Sequence, residues 1–436
     1  MAGGGSGWVR MAPILAVQFI GTLGYSIAIP FLVFLVADLG GASWTFGLLG
    51  ATYSLSQLVG APVLGRWSDR FGRRPVLIAS QAGTLLAWVV FLLALELPVE
   101  PLGTLAGATL SVPLLLIFGA RMLDGLTGGN ISVANAYVAD LTSGDESARQ
   151  VAFGRMGMAS SLGFTLGPAL AGLLGAGGDG YTEPIVAAAV ISAIGMLLCL
   201  TLREPRQRCP EGPPAQPTVT RVLGQQQRRC DTAPKADARA SLRRPIVVGL
   251  LGATFAQFLA FSLFYAGFPL HATQEIGWGA AELGVFYTVL SAAMLVVQGP
   301  VLARLAGRLA PKTLFALGMA GLALAQLTFA QGNASLLFGG ALLFAAGNGI
   351  AWPTFQARTA DAATEAEQGI VQGAATSAGA VGSIAGLTLG GIAYPWLGSG
   401  LFVVAAGVFL AVLAAAPTLF GRGPGPRASL EGSAGA

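Results

Sequence analysis

Arg121 and Asp124 are the only charged residues between Glu100 and Asp140. Three residues apart on a helix, they share a face and partly neutralise each other. Charge inside a long apolar run is costly, and such residues default to functional roles. The chemistry they suit is reversible protonation of Asp124, with Arg121 tuning the carboxylate. The alternative is a static ion pair that fixes its helix against a neighbour.

A second constellation reads Gly65-Arg-Trp-Ser-Asp69-Arg70-Phe-Gly72-Arg73-Arg74. Gly65 and Gly72 allow close backbone approach, while Asp69 suits capping a helix N-terminus and pairing with Arg. A topology anchor would need the arginines but neither the aspartate nor the two glycines. A third is a glycine ridge, Gly154, Gly157, Gly163, Gly167-Pro168 and Gly172. It makes a flat helix face with a proline kink. Gly379, Gly382, Gly386, Gly390 and Gly391 repeat the ridge without the proline. Enzyme and nucleotide signatures are missing: no G-x-x-x-x-G-K-[ST] loop, no H-E-x-x-H and no Cys/His cluster. No cofactor, metal or ATP is expected, and the chain is read as not an enzyme. Three cysteines, Cys199, Cys209 and Cys230, have no disulfide or metal spacing.

The elements that carry these residues follow from composition. Apolar residues make up 54% of the 436 and charged residues 10%, against about 25% charged in a soluble domain. Mean hydropathy is +0.69. Charges cluster between apolar runs near the roughly 20 residues that span a bilayer. Twelve spans are expected, at 12–37, 46–66, 75–96, 112–136, 153–175, 184–202, 246–271, 282–303, 313–331, 335–357, 369–393 and 398–418. Lipid offers backbone groups no partners, so the spans must be helices and the fold class all-α.

Basic residues orient them. With the N-terminus inside, Arg10, Arg66, Arg70, Arg73, Arg74, Arg149, Arg155, ten residues from Arg203 to Arg244, Arg304, Arg308, Lys312, Arg358, Arg422 and Arg427 all fall on one side. That is 23 of 24, the last being Arg121. The opposite loops carry only acids, including Asp38, Glu96, Glu100, Asp179, Glu183, Glu275 and Glu282. The positive-inside rule then places both termini in the cytoplasm, and the pI of about 9.2 reports topology rather than nucleic-acid binding. The long first span lacks a cleavage site and is read as retained. An Ala/Gly/Arg-rich composition suggests a bacterial inner membrane.

Residues 203–245, rich in Pro, Gln and Arg, read as a largely disordered cytoplasmic linker. It separates a six-helix bundle over 1–202 from another over 246–420, with a tail at 421–436. The halves repeat each other. Gln18-Phe19 precedes Pro30 as Gln257-Phe258 precedes Pro269, and PVLGRWSDRFGRRPVL from Pro62 matches PVLARLAGRLAPKTLF from Pro300. A looser match, NISVANAYVAD against NGIAWPTFQARTAD, has a smaller offset because the loop from Glu96 to Val112 is longer than its counterpart. Three matches in order indicate a duplication.

The 65–74 segment resembles the signature G-x-x-x-D-R-x-G-R-R of the major facilitator superfamily. Gly119-Ala-Arg121-Met-Leu-Asp124-Gly125 resembles the R-x-x-x-G motif of its drug/proton antiporters, and LGFTLGPALAGLL their antiporter motif. NAYVADLTSGDESAR has the flavour of the tetracycline-exporter branch. The resemblance covers nearly the whole chain and implies a major facilitator fold of two pseudo-symmetric bundles. It also implies an inward gate held by Gly65, Asp69, Arg70, Gly72, Arg73, Arg74 and Asp140, with Asp69, Arg73 and Asp140 as its charge network. Gln18 stands in the first span where several such exporters carry a carboxylate, which puts more weight on Asp124.

With the substrate site at midplane, Gln18, Tyr25, Asn130, Gln257, Tyr265, Asn348 and Trp352 are the expected contacts. Phe255, Phe258, Phe261 and Phe264 would either line a greasy cavity or simply pack. His271, the only histidine, is expected to play a plain surface role. The function implied is proton-driven efflux of a small amphipathic or hydrophobic compound by a monomer in the bilayer. The alternative is a metabolite transporter, for a sugar, amino acid or siderophore, or an uncoupled facilitator.

Overall fold

The computed structural model describes residues 4–128, 130–142, 146–175, 180–205, 220–222, 225–227, 238–363 and 367–421. Most of the expected linker, with Cys209 and Cys230, and the tail from residue 422 lie outside them. Where it is described, the chain is almost entirely helical. It runs α1 (Gly4–Asp38), α2 (Ser43–Phe71), α3 (Arg73–Leu95), the strands β1 (Pro101–Leu105) and β2 (Ala108–Ser111), α4 (Val112–Thr127), α5 (Asn130–Leu141), α6 (Glu146–Gly175) and α7 (Thr182–Thr201). Strands β3 (Thr220–Val222) and β4 (Gln225–Gln227) and helix α8 (Ala238–Arg243) follow. Then come α9 (Pro245–Gln274), α10 (Ala280–Val296), a π-helical turn at Val297–Val301 and α11 (Leu302–Ala306). The chain ends in α12 (Pro311–Phe329), α13 (Ala334–Asp361), α14 (Gln368–Leu397) and α15 (Gly400–Leu419).

Among the described residues, eleven helical segments are long and apolar enough to cross a membrane. They coincide with eleven of the twelve expected spans. The exception is the second: α2 is a continuous helix of 29 residues, but its apolar character is diluted by Ser54, Ser56, Gln57, Arg66, Asp69 and Arg70. Its buried face holds Tyr53, Ser54, Ser56 and Ser68, so its polarity is spent on neighbouring helices. The chain is an integral, multi-pass membrane protein.

Two connections carry structure of their own. The loop between α3 and α4 is an antiparallel hairpin, β1 with β2. It turns at Ala106 and Gly107, both with positive φ (47° and 81°), as a two-residue hairpin connection requires. Inside the stretch expected to be largely disordered, β3 pairs with β4. The α8 helix there is pinned at Ser241, whose Oγ donates to Glu367 Oε1 at 2.6 Å. Arg244 adds a 3.1 Å ion pair to the same carboxylate.

Residues cluster into two compact units, Met1–Thr232 with Trp278–Thr288, and Ala233–Gly277 with Val289–Ala436. In the first, α1 packs on α6 and α7, while α4 packs on α2 and α3. In the second, α9 packs on α14 and α15, and α12 on α13 and α15. The pairs α1–α6 and α9–α14 occupy equivalent places in the repeat, and glycine makes both contacts. A Cβ at Gly163 or Gly167 would strike α1 at Phe19 and Leu23, or at Ser26 and Ile27. One at Gly382 or Gly386 would strike α9 at Phe255 and Leu259, or at Leu259 and Ser262. Lipid removes most of the hydrophobic drive between helices, so such close packing and short polar contacts must hold them. Ser26 Oγ donates to Gly163 O at 3.0 Å across one of these seams.

The second unit is closed by aromatic rings. Phe264 lies 5.2 Å from Phe268, 4.9 Å from Phe329 and 4.8 Å from Phe344, and Phe261 meets Phe344 and Phe409, each at 5.4 Å. Pairs of this kind contribute about 0.5–1.5 kcal/mol beyond buried area. For Phe261 and Phe264 the packing reading therefore holds.

Candidate functional site

Helix α4 starts at Ser111, whose side chain accepts from Leu114 N, with Pro113 in its first turn. Three turns on it carries Arg121 and Asp124, whose side chains are 3% and 7% exposed. Arg121 Nη1 donates to Asp124 Oδ2 at 3.4 Å, a long contact for an ion pair. The remaining faces of the guanidinium meet aromatic rings: Tyr53 at 5.8 Å, Trp88 at 5.6 Å and Phe91 at 5.3 Å. Cation–π contacts of this type contribute about 0.5–2 kcal/mol each as desolvation increases. Arg121 Nε is buried with no hydrogen-bond partner. The pair thus faces α2 and α3, which supply the rings; its ionic contact is long, and Asp124 also accepts a hydrogen bond from the Thr84 side chain of α3.

Tyr53 connects this centre to its surroundings. Its ring lies tilted against that of Tyr25 at 4.6 Å, and Tyr25 lies 6.0 Å from Phe164. Gln57 Nε2 donates to Tyr53 Oη at 3.2 Å and to Gly128 O at 3.3 Å. Gly125 allows α4 to touch α2, since a Cβ there would strike Tyr53 O and Ser56.

Of the expected substrate contacts, Tyr25 is the one brought beside the charged pair. Gln18 is buried and donates to Ser160 Oγ at 2.6 Å, tying α1 to α6. Gln257 is buried and donates to Ala253 O of its own helix at 3.2 Å. In the second unit Trp352 meets Phe258 edge-on at 5.4 Å, Asn348 Nδ2 reaches Met294 Sδ at 3.7 Å, and Tyr265 packs on Phe264 at 5.3 Å. The side chain of Asn130 lies outside the described residues.

At the junction of α2 and α3 the expected charge network is assembled. Arg73 Nη1 bonds Asp69 Oδ1 at 2.6 Å and Ser68 Oγ at 2.7 Å, and Arg73 Nε bonds Asp140 Oδ2 at 2.9 Å. Gly72 makes the turn with φ 103° and ψ 156°, a conformation left to glycine. The expectation for Gly65 is corrected: a Cβ there meets nothing within 4 Å, so no backbone approaches it. Arg70 stands apart, exposed, its guanidinium 5.3 Å from the Phe71 ring. Arg74 Nη2 donates to Leu200 O at 2.8 Å.

The cap expected of Asp69 belongs to Glu204. Its carboxylate accepts from Arg73 N at 2.6 Å and Arg74 N at 2.9 Å, closing the N-terminus of α3 from 131 residues away. Tyr137 Oη holds the preceding carbonyl, Arg203 O, at 2.7 Å. Sequence reading missed Glu204 because it opens the polar linker. Its signal was position: an acid directly after the sixth span, on the side that carries the arginines.

The ridge on α6 runs unbroken through Pro168. Gly172, at its far end, meets Gly284 of α10: a Cβ on either would fall on the backbone of the other. Both residues belong to the first unit. Gly157 meets nothing.

His271 is also corrected. It is 2% exposed, because the last turns of α9 pack against the end of α14 and the Phe402 ring of α15, 5.4 Å away. Its Nδ1 lies 3.4 Å from Glu275 Oε2, and Tyr394 Oη donates to Glu275 Oε1 at 2.9 Å.

Comparisons with known proteins agree with this architecture. The family model described as Major Facilitator Superfamily matches residues 14–298 and 250–435. The chain is similar to a tetracycline resistance protein, class G, of Vibrio anguillarum, with 31% identity over 87% of this chain and 89% of the relative. It is also similar to multidrug resistance protein 2 of Bacillus subtilis, with 26% identity over 92% and 94%. In fold it matches the crystal structure of the human organic anion transporter MFSD10, with a TM-score of 0.65 and 21% identity, over 95% of this chain and 100% of that one.

Proposed function

The chain belongs to the Major Facilitator Superfamily, and on that premise we propose that it exports small amphipathic compounds in exchange for protons, with Asp124 as the proton carrier. The observation that carries this reading is the Arg121–Asp124 pair, whose side chains are 3% and 7% exposed within the first unit. A carboxylate held by one long ionic contact of 3.4 Å and a hydrogen bond from Thr84 can take up a proton without dismantling an extended network. The rings around Arg121 hold its charge when the carboxylate is neutral. Tyr25, Tyr53 and Phe164 then form an aromatic cluster beside a titrating centre, and apolar walls with few polar groups suit drug-like ligands. Similarity to tetracycline and multidrug resistance proteins supports efflux.

The Asp69–Arg73–Asp140 network, with Glu204, serves as the gate on the cytoplasmic side. Both termini lie in the cytoplasm, as the distribution of Lys and Arg requires, and the membrane is a bacterial inner membrane. The protein works as a monomer.

The test is transport by purified protein in liposomes, with tetracycline and other amphipathic compounds, with and without an imposed pH gradient. Accumulation that requires the gradient and releases protons in step with substrate supports the reading. Solute movement indifferent to the gradient favours an uncoupled or metabolite transporter.

A further inference from the structure

We propose that the β1–β2 hairpin is a membrane-interface element, lying in the headgroup–acyl boundary of the bilayer rather than in water. All five residues of β1 are exposed, and Leu102 and Leu105 are 62% and 55% exposed. From Pro101 to Ala120 the chain carries no charged residue. An exposed edge strand in water is normally protected by charge, because its open N–H and C=O groups invite other chains to pair. Along β1 itself that protection is missing, and two of its five exposed positions are leucines.

The apolar surface continues onto the lipid-facing helices on either side. Leu86, Val89 and Leu93 are exposed along α3, Leu97 and Val99 follow, and Val112 and Leu115 are exposed on α4. On the α4 side no charged residue separates the hairpin from surface that must face lipid, while on the α3 side the exposed Glu96 and Glu100 mark the level of the headgroups. The open edge also sets a limit on depth. Unpaired backbone groups are not tolerated in the hydrocarbon core, but water and headgroup oxygens at the boundary satisfy them.

Two hydrogen bonds fix the hairpin at that level. Thr109 N donates to Gly40 O at 2.8 Å, in the turn between α1 and α2. Trp44 Nε1 donates to Ala106 O at 3.0 Å, at the hairpin tip. Tryptophan concentrates at membrane–water interfaces, where its ring is buried and its N–H is bonded. That bond also falls on the residue with the least comfortable backbone, since Ala106 has φ 47°. A second copy of the chain is a poorer occupant. Nine strand residues offer far less than the roughly 1,000 Å² of a specific interface.

The experiment places a nitroxide at Leu102→Cys or Leu105→Cys. The background is Cys209→Ser with Cys230→Ser, leaving the buried Cys199. Both labelled positions are exposed, so the label does not disturb the core. In phosphatidylcholine–phosphatidylglycerol vesicles, collision with oxygen is compared with collision with an aqueous nickel chelate. Leu93→Cys, 58% exposed on α3, is the lipid reference. Gly332→Cys, where a Cβ meets nothing, is the water reference. The expected oxygen-to-nickel ratio at 102 and 105 is several-fold above that at 332 and below that at 93. A ratio equal to that at 332 overturns the proposal. Spin–spin broadening from a neighbouring copy overturns it as well.

Discussion

Gly172 and Gly284 meet backbone against backbone, so closely that neither position has room for a methyl group. Over-packing such a contact costs about 1–3 kcal/mol. Gly172→Ala is therefore expected to lower the melting temperature in detergent and to slow transport. Gly157→Ala, in the same helix but facing open space, is expected to leave both unchanged. Equal effects at the two positions would show that the contact is not the cause.

The signature between α2 and α3 makes an uneven prediction about its two glycines. Gly72→Ala forces a side chain into a φ of 103°, at a cost of about 1–3 kcal/mol. Gly65→Ala meets nothing and is expected to stay within about 0.5 kcal/mol, as ordinary surface substitutions do. Thermal unfolding of the two variants, side by side, separates them.

Glu204→Ala leaves Arg73 N and Arg74 N without their acceptor. Loss of an N-terminal cap costs about 0.5–2 kcal/mol. Because the same two residues are arginines of the proposed gate, the transport rate is expected to fall along with stability. Glu204→Gln keeps an acceptor oxygen and should recover most of the stability.

Removing Arg121 alone strands Asp124 in an apolar surround. Breaking a buried pair from one side costs about 3–5 kcal/mol, so Arg121→Ala is expected to be poorly folded or to melt early. Adding Asp124→Asn to it should recover part of the loss, because no unpaired charge remains. A double variant no better than the single would indicate that the aromatic contacts to Arg121, rather than the charge balance, set its stability.

Much of the fold was legible because a bilayer restricts what a chain can do. Long apolar runs must be helices, and eleven of the twelve runs stand where they were expected. Repeats such as Gln18-Phe19 and Gln257-Phe258 located equivalent helices. Arg121 and Asp124 were visible because charge is rare in such runs. What surrounds them was not, since the approach of Tyr53, Trp88 and Phe91 depends on how α2 and α3 rotate about their axes. Pattern constrains that rotation weakly when nearly every residue is apolar. Glu204 was hidden by separation, 131 residues from the N–H groups it caps. His271 was misjudged because its surroundings come from α14 and α15, distant in sequence.

The most direct test of the central claim is Asp124→Asn in liposomes, measured in two ways on one preparation. Substrate accumulation driven by a pH gradient is expected to be lost, while substrate exchange at equal pH on both sides persists. Accumulation that still follows the pH gradient at the wild-type level would contradict it, and the proton would have to travel by another residue.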